Sequence, residues 1–189
     1  MIPTPEKCYE MMEEYGMLEN IRAHSLIVRK VATVIGRGIR KTGCDISMER
    51  IAAGALMHDI GKTPCLNSDA DHADVGRKIC IRHHFQEIAE IVGQHIHLKG
   101  YLSAGPICER EIVYYADKRV NHDMVVSIEE RLEYLLDRYA KGREELKRLI
   151  RSNFDQCRDV ERKIFSLLEF EPAELNSMID ERDLLLPSY

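Results

Sequence analysis

Apolar residues recur through most of the chain at steps of three and four, the spacing that gathers them on one face of an α-helix. Ile21, Val28, Val31, Ile35 and Ile39 make the longest such stripe, and His24 lies on it. Asn20 is placed to cap that helix and Gly43 to end it. Ahead of it, Pro5 to Tyr15 predicts a short helix with proline in the first turn and Gly16 as its stop. Ser47 opens a further helix whose inner face is Ile51, Ala52, Ala55 and Leu56, ending in His58-Asp59-Ile60-Gly61-Lys62 with Gly61 as the stop. Lys62 to Asp71 reads as loop, followed by helices from about His72 to Arg82 and from Phe85 to Gln94. After a loop from Gly100 to Pro106, Glu109 to His122 predicts another, with Ile112, Val113, Ala116 and Val120 facing in.

The character changes at Ser127-Ile128-Glu129-Glu130, a capping box that opens a helix to about Tyr139. Charge-rich helices follow to about Glu169, and Pro172 starts a last short one ending near Glu181. Their blocks of Glu, Arg and Lys look like solvated faces. No alternating run of useful length predicts a strand. The expectation is an all-α chain: a helical domain over residues 1–125 and a charged C-terminal helical extension over 126–189, with a homodimer surface as one use for the extension.

Composition narrows the setting. With 44% hydrophobic and 31% charged residues over 189 positions, the chain can bury a sizeable core without covalent staples. A formal net charge of −5 argues against an extended nucleic-acid interface, while leaving room for a small anionic substrate in a local basic pocket. No apolar run approaches a membrane span, and the N-terminus lacks the layout of a signal peptide. Six scattered cysteines without a C-x-x-C pair predict reduced thiols and a cytoplasmic location.

Histidine is the informative residue: seven of the eight lie between positions 24 and 97. His24, the pair His58-Asp59, His72, His95 and Asp117 each fall at a helix end or on an inward face. Imidazole nitrogens and carboxylate oxygens are both good ligands for divalent metals. Asp117 sits among core-facing apolar positions, where an unpartnered carboxylate is costly, so a salt bridge or a metal must satisfy it.

This order of residues resembles the HD-domain superfamily of metal-dependent phosphohydrolases, and His58-Asp59-Ile60-Gly61-Lys62 matches its HDIGK signature letter for letter. The resemblance covers roughly residues 15 to 125 and implies an HD-domain helical bundle in which His24, His58, Asp59 and Asp117 hold one metal. His72 and His95 correspond to the two extra histidines of binuclear members, with His83, His84 and His97 as competitors and His97 also a substrate contact. Mixed nitrogen and oxygen ligation points to one or two ions of Mn, Fe, Co, Ni or Zn more than to Mg. Asp59, with two oxygens, is suited to bridge two ions and to carry catalysis together with Lys62, which by the resemblance contacts substrate phosphate or holds a carboxylate such as Asp69, or else is an exposed lysine near a helix end. Arg119 offers a bidentate phosphate contact or points outward.

The resemblance implies hydrolysis of a phosphate ester or anhydride, with a small nucleotide as the substrate class. Bacterial HD-type dinucleoside-tetraphosphate hydrolases share the two-histidine insertion and are of similar size. Cyclic-dinucleotide phosphodiesterases of the HD class share it too, but their Gly-Tyr-Pro motif is missing, with Gly100-Tyr101-Leu102 standing where it might be sought. Two other classes stay open: a di-iron HD-fold oxygenase with the same ligand order, and a non-catalytic module stabilised by its metal.

Overall fold

The computed structural model describes residues 1–179, and among them the regular structure is almost wholly helical. Eight α-helices follow in order: α1 (Pro5–Glu14), α2 (Glu19–Lys41), α3 (Met48–Met57), α4 (His72–Arg82), α5 (Gln86–Gly93), α6 (Glu109–Lys118), α7 (Ile128–Tyr139) and α8 (Glu144–Phe165). Local chemistry sets several of the starts. The side chains of Thr4, Ser47, Asp71 and Ser127 accept backbone N–H groups in the first turns of α1, α3, α4 and α7. Asn20 does not cap α2: the helix begins at Glu19 after an extended Leu18, whose N–H is held by Thr63 Oγ1. Gly43 ends α2 in the left-handed region, at φ +87°.

The core is built around α2, which packs against α3 and α6 through Val28, Val31, Ile35 and Ile39. Ile51 and Leu56 of α3, Ile88 and Val92 of α5, and Ile112 and Val113 of α6 join the same buried cluster. The tail contributes to it as well. Phe154, Cys157, Val160 and Ile164 of α8 recur at helical spacing and are buried, and Tyr114 of α6 donates its hydroxyl to the Asn153 carbonyl. α8 ends at Phe165, short of Glu169. Pro172 opens only a 3-10 turn to Glu174, and the expected end near Glu181 lies outside the described residues. All six cysteines are free. No helix among the described residues is long and apolar enough to cross a membrane.

Two departures from the sequence expectation matter for the site. First, α6 stops at Lys118 rather than His122. The chain then forms a minimal antiparallel hairpin, Val120–Asn121 against Met124–Val125, in the register Val120↔Val125 and Asn121↔Met124. Strands of two residues are too short to leave an alternating pattern. His122 turns the hairpin at φ 55°. Second, Gly61 is not a left-handed stop, since its φ is not among the positive ones. It is a close approach: a Cβ there would stand 2.1 Å from the His72 carbonyl oxygen and 2.7 Å from the Gly76 nitrogen. The missing side chain lets the turn after α3 press against the first turn of α4.

Candidate metal centre

α3 ends at Met57, and the following turn carries His58 and Asp59, both completely buried. His24 comes from the second turn of α2, Asp117 from the last turn of α6, His72 from the first residue of α4, and His95 from just beyond α5. These six side chains converge. The ligand atoms of His24, His58 and Asp59 all lie within 4.8 Å of one another, and so do those of Asp59, His72 and His95. Asp117 Oδ1 stands 3.0 Å from His24 Nε2 and 3.7 Å from His58 Nε2.

Asp59 divides its two oxygens between the sets. Oδ2 is 3.3 Å from His58 Nε2. Oδ1 is 3.5 Å from His72 Nε2 and 3.4 Å from His95 Nε2. Ligand atoms ~2.0–2.2 Å from one ion at a tetrahedral angle stand ~3.3–3.6 Å apart. The observed separations thus fit groups that share an ion.

The histidine tautomers argue the same way. His58 Nδ1 lies 2.7 Å from the Ala55 carbonyl, His95 Nδ1 2.7 Å from the Val92 carbonyl, and His24 Nδ1 2.9 Å from the His122 carbonyl. A carbonyl only accepts, so each Nδ1 carries the proton and donates it. In the neutral ring Nε2 is then a bare lone pair aimed at the centre, the arrangement of a metal-ligating histidine. His58 Nε2 and Asp59 Oδ1 are buried with no hydrogen-bond partner. One such buried, unpaired acceptor on each side of Asp59, His58 Nε2 in one ligand set and Oδ1 in the other, calls for a cation, and the donor set fits a divalent one.

Electrostatics reinforce this. Burial pushes the His95 imidazole down to about 4, so it is neutral and ligand-ready at ordinary pH. Burial also opposes ionisation of Asp59, but His58 and Lys62 outweigh it and hold the carboxyl well below its usual range. Asp117 behaves alike, with burial overcome chiefly by Lys118 and then by His24. His58 is desolvated as well, yet the Asp59 carboxylate raises its pKa. Two ionised carboxylates in a buried pocket favour positive charge there.

The centre lies at the floor of a cavity of about 480 Å³ walled on its far side by α7 and α8. Lys62 lines it and places Nζ 2.7 Å from Asp59 Oδ2, not on Asp69. His95 rather than His97 turns to Asp59; His97 lines the cavity and interacts with Asn153. His83 is bound to the Tyr15 hydroxyl at 2.9 Å, in neither ligand set, and His84 is an exposed left-handed residue at φ 62°. Lys118 Nζ is spent on the His95 carbonyl and Asp117 Oδ2, bracing two ligands.

Arg119 is neither a phosphate contact nor an outward-facing arginine. Because α6 ends at Lys118, its side chain enters the core, only 5% exposed. Its guanidinium donates to the Val126 carbonyl at 2.6 Å, the Tyr115 hydroxyl at 2.5 Å and the Pro172 carbonyl at 3.0 Å. The arginines that do line the cavity are Arg143 and, from α7, Arg131, the latter with Asn121 Oδ1 accepting from Nη1 at 2.8 Å. In the sequence Arg131 is hidden within a charge-rich helix; the apolar stripe of α8 is the sign there that the tail folds back on the bundle.

The sequence model of the HD domain family matches residues 21–140. A protein of Picrophilus torridus named tRNA (cytidine(56)-2'-O)-methyltransferase is 32% identical over 155 residues, covering 73% of this chain and 41% of the relative. A protein of the same name from Thermoplasma volcanium is 33% identical over 97 residues, covering 51% of this chain and 27% of the relative. An uncharacterized protein of Methanocaldococcus jannaschii is 28% identical over 151 residues, covering 71% of this chain and 86% of that one. The chain therefore spans well under half the length of the two relatives named for methyl transfer. No solved structure matches it.

Proposed function

The chain belongs to the HD domain family, and from that premise we propose that it is a metal-dependent hydrolase of small phosphate esters or anhydrides, with nucleotides as the first class to test. The observation that carries this reading is the division of Asp59, one oxygen toward His58 and the other toward His72 and His95, at the floor of a cavity. His24, His58, Asp59 and Asp117 would hold one ion, and Asp59, His72 and His95 a second. Divalent ions bound there supply an acidified water and neutralise charge on phosphoryl oxygens, the two things attack on a phosphate ester requires.

The remaining work falls to side chains. Lys62, on the cavity floor beside Asp59, is placed to donate to a non-bridging phosphoryl oxygen. Arg131 has further N–H donors beyond the one accepted by Asn121 and faces the same space. Lys118 stabilises the charged form of Asp117 and fixes the backbone at His95, so that neither ligand reorganises when substrate arrives. Two relatives are named for modification of a tRNA cytidine, which supports testing nucleotides first and leaves methyl transfer with those longer proteins.

The test is turnover by the full chain after reconstitution with Mn, Fe, Co, Ni or Zn, on a panel of phosphomonoesters, phosphodiesters and nucleotides. The expected result is hydrolysis that chelator abolishes and metal restores. A folded, metal-loaded protein inert on the whole panel would overturn the proposal.

A further inference from the structure

Two recesses, not one, meet at the metal centre. The larger, of about 480 Å³, opens on His72 and His95; a second, of about 320 Å³, opens on His24. Both are floored by Asp59 and Lys62, and both are edged by Arg131 and Tyr139 of α7. Each ligand set thus has its own approach, and the shared carboxylate lies where the approaches join.

The walls of the two lobes differ in chemistry. Leu135, Leu146, Leu149, Ile150 and Phe154 make one side of the larger lobe apolar. Leu149, 58% exposed, stands at the rim of this recess, and an apolar-walled cavity suits an apolar group. The smaller lobe is mixed and ring-lined: beside Leu18, Ile21 and Leu66 it carries Asn20, His122, Tyr134 and Arg138. The His122 and Tyr134 rings meet edge to face at 5.3 Å, and the Arg131 guanidinium lies 5.6 Å from the Tyr134 ring centre. Ring edges and hydrogen-bonding groups suit a flat polar group.

Charge sets a further limit. Lys62 and Lys118 are engaged by Asp59 and Asp117. The other lysine or arginine side chains facing the two lobes are Arg131, Arg138 and Arg143. A run of phosphates extending into the larger lobe would set several charges against its apolar wall, which is costly. A single phosphate at the junction, with its one charge near Lys62 and Arg131, avoids that cost.

We propose that the site takes a phosphodiester with an organic group on each side of phosphorus, the apolar group in the larger lobe and a planar, hydrogen-bonding group in the smaller. This rests on the hydrolase reading above. In the reaction the oxygen of water bonds to phosphorus, one ester P–O bond breaks, and the departing oxygen takes a proton from the water. The products are a phosphomonoester and an alcohol, and no co-reactant is consumed.

The experiment compares 4-nitrophenyl phosphate with thymidine 5'-(4-nitrophenyl phosphate) on the metal-reconstituted full chain. The expected kcat/KM favours the diester by about 10-fold or more, the scale that added apolar and hydrogen-bonding contacts provide. Leu149→Asp and Arg138→Ala, both at exposed positions that folding tolerates, each shrink that preference by raising KM for the diester. A crystal of the Asp59→Asn variant with the diester bound places thymidine and nitrophenyl in different lobes. Equal or better use of the monoester, or both groups seated in one lobe, overturns the two-lobed substrate while leaving a hydrolase. Failure to turn over either compound or any other phosphoester removes the hydrolase reading itself, and this inference with it.

Discussion

His24, His58 and Asp117 reach Asp59 from three helices of the bundle, and the bundle closes over them. The His24 and His58 rings are clamped by backbone carbonyls, and His24 Nε2 stands 3.0 Å from Asp117 Oδ1. The second set is built differently. His95 is clamped and buried, but His72 stands at the first residue of α4, after a loop, with 27% of its side chain exposed. Its position depends on backbone contact between the first turn of α4 and Gly61, three residues after His58. One half of the centre is therefore part of the core, and the other is docked onto it. Ligands held by packing lose little freedom on binding, whereas a ligand on a helix end near a loop must be ordered. The first ion should be held more tightly than the second.

The largest effect expected from a single change is at the shared residue. Asp59→Asn keeps the shape and removes the charge both sets use. Metal content by elemental analysis should fall close to zero and turnover by about a thousandfold or more. Retention of one full equivalent would show that the two sets do not share this carboxylate.

Gly61→Ala should come next. The added methyl would meet the His72 carbonyl at 2.1 Å, so α4 must move. We expect a stability loss of about 1–3 kcal/mol, the usual cost of overpacking, seen as a lower midpoint in calorimetry. Loss of about one metal equivalent should accompany it, because His72 moves while His24, His58 and Asp117 stay. Unchanged metal content would break the claim that Gly61 seats the second set.

His72→Ala should have the smallest effect on the fold, since the residue is half-exposed at a helix start. It should release the second ion, with the first still bound and the melting midpoint near that of the parent. If the ion lost is instead the one bound by His24, established by the doubly substituted chain, the ranking of the two halves is reversed.

Much of this was legible in the chain itself. His24 and Asp117 stand on apolar stripes, and His58-Asp59 ends another, so helical periodicity alone brings them to one interior. His72 and His95 were legible only as an order of residues, because their convergence depends on how α4 and α5 dock. What stayed hidden was backbone. Nothing in Gly61 distinguishes a helix stop from a close approach until the partner helix is in place. The place of Arg119 was hidden too, because a helix four residues shorter than its pattern changes which way the side chain leaves the chain. Arg131 was hidden by composition, since charged neighbours make a cavity-lining residue look like one more solvated charge.

The carbonyls that clamp His58 and His95 belong to Ala55 and Val92, in the last turns of α3 and α5. Carbonyls there run out of amide partners within the helix. A histidine placed just past each end satisfies one of them, and in the same contact has its proton assigned to one nitrogen. Which atom will meet the ion is thus decided as the helix terminates, during folding and ahead of any metal. Loading is then the filling of a finished mould, and the boundaries of these two helices carry a protonation state as well as a shape.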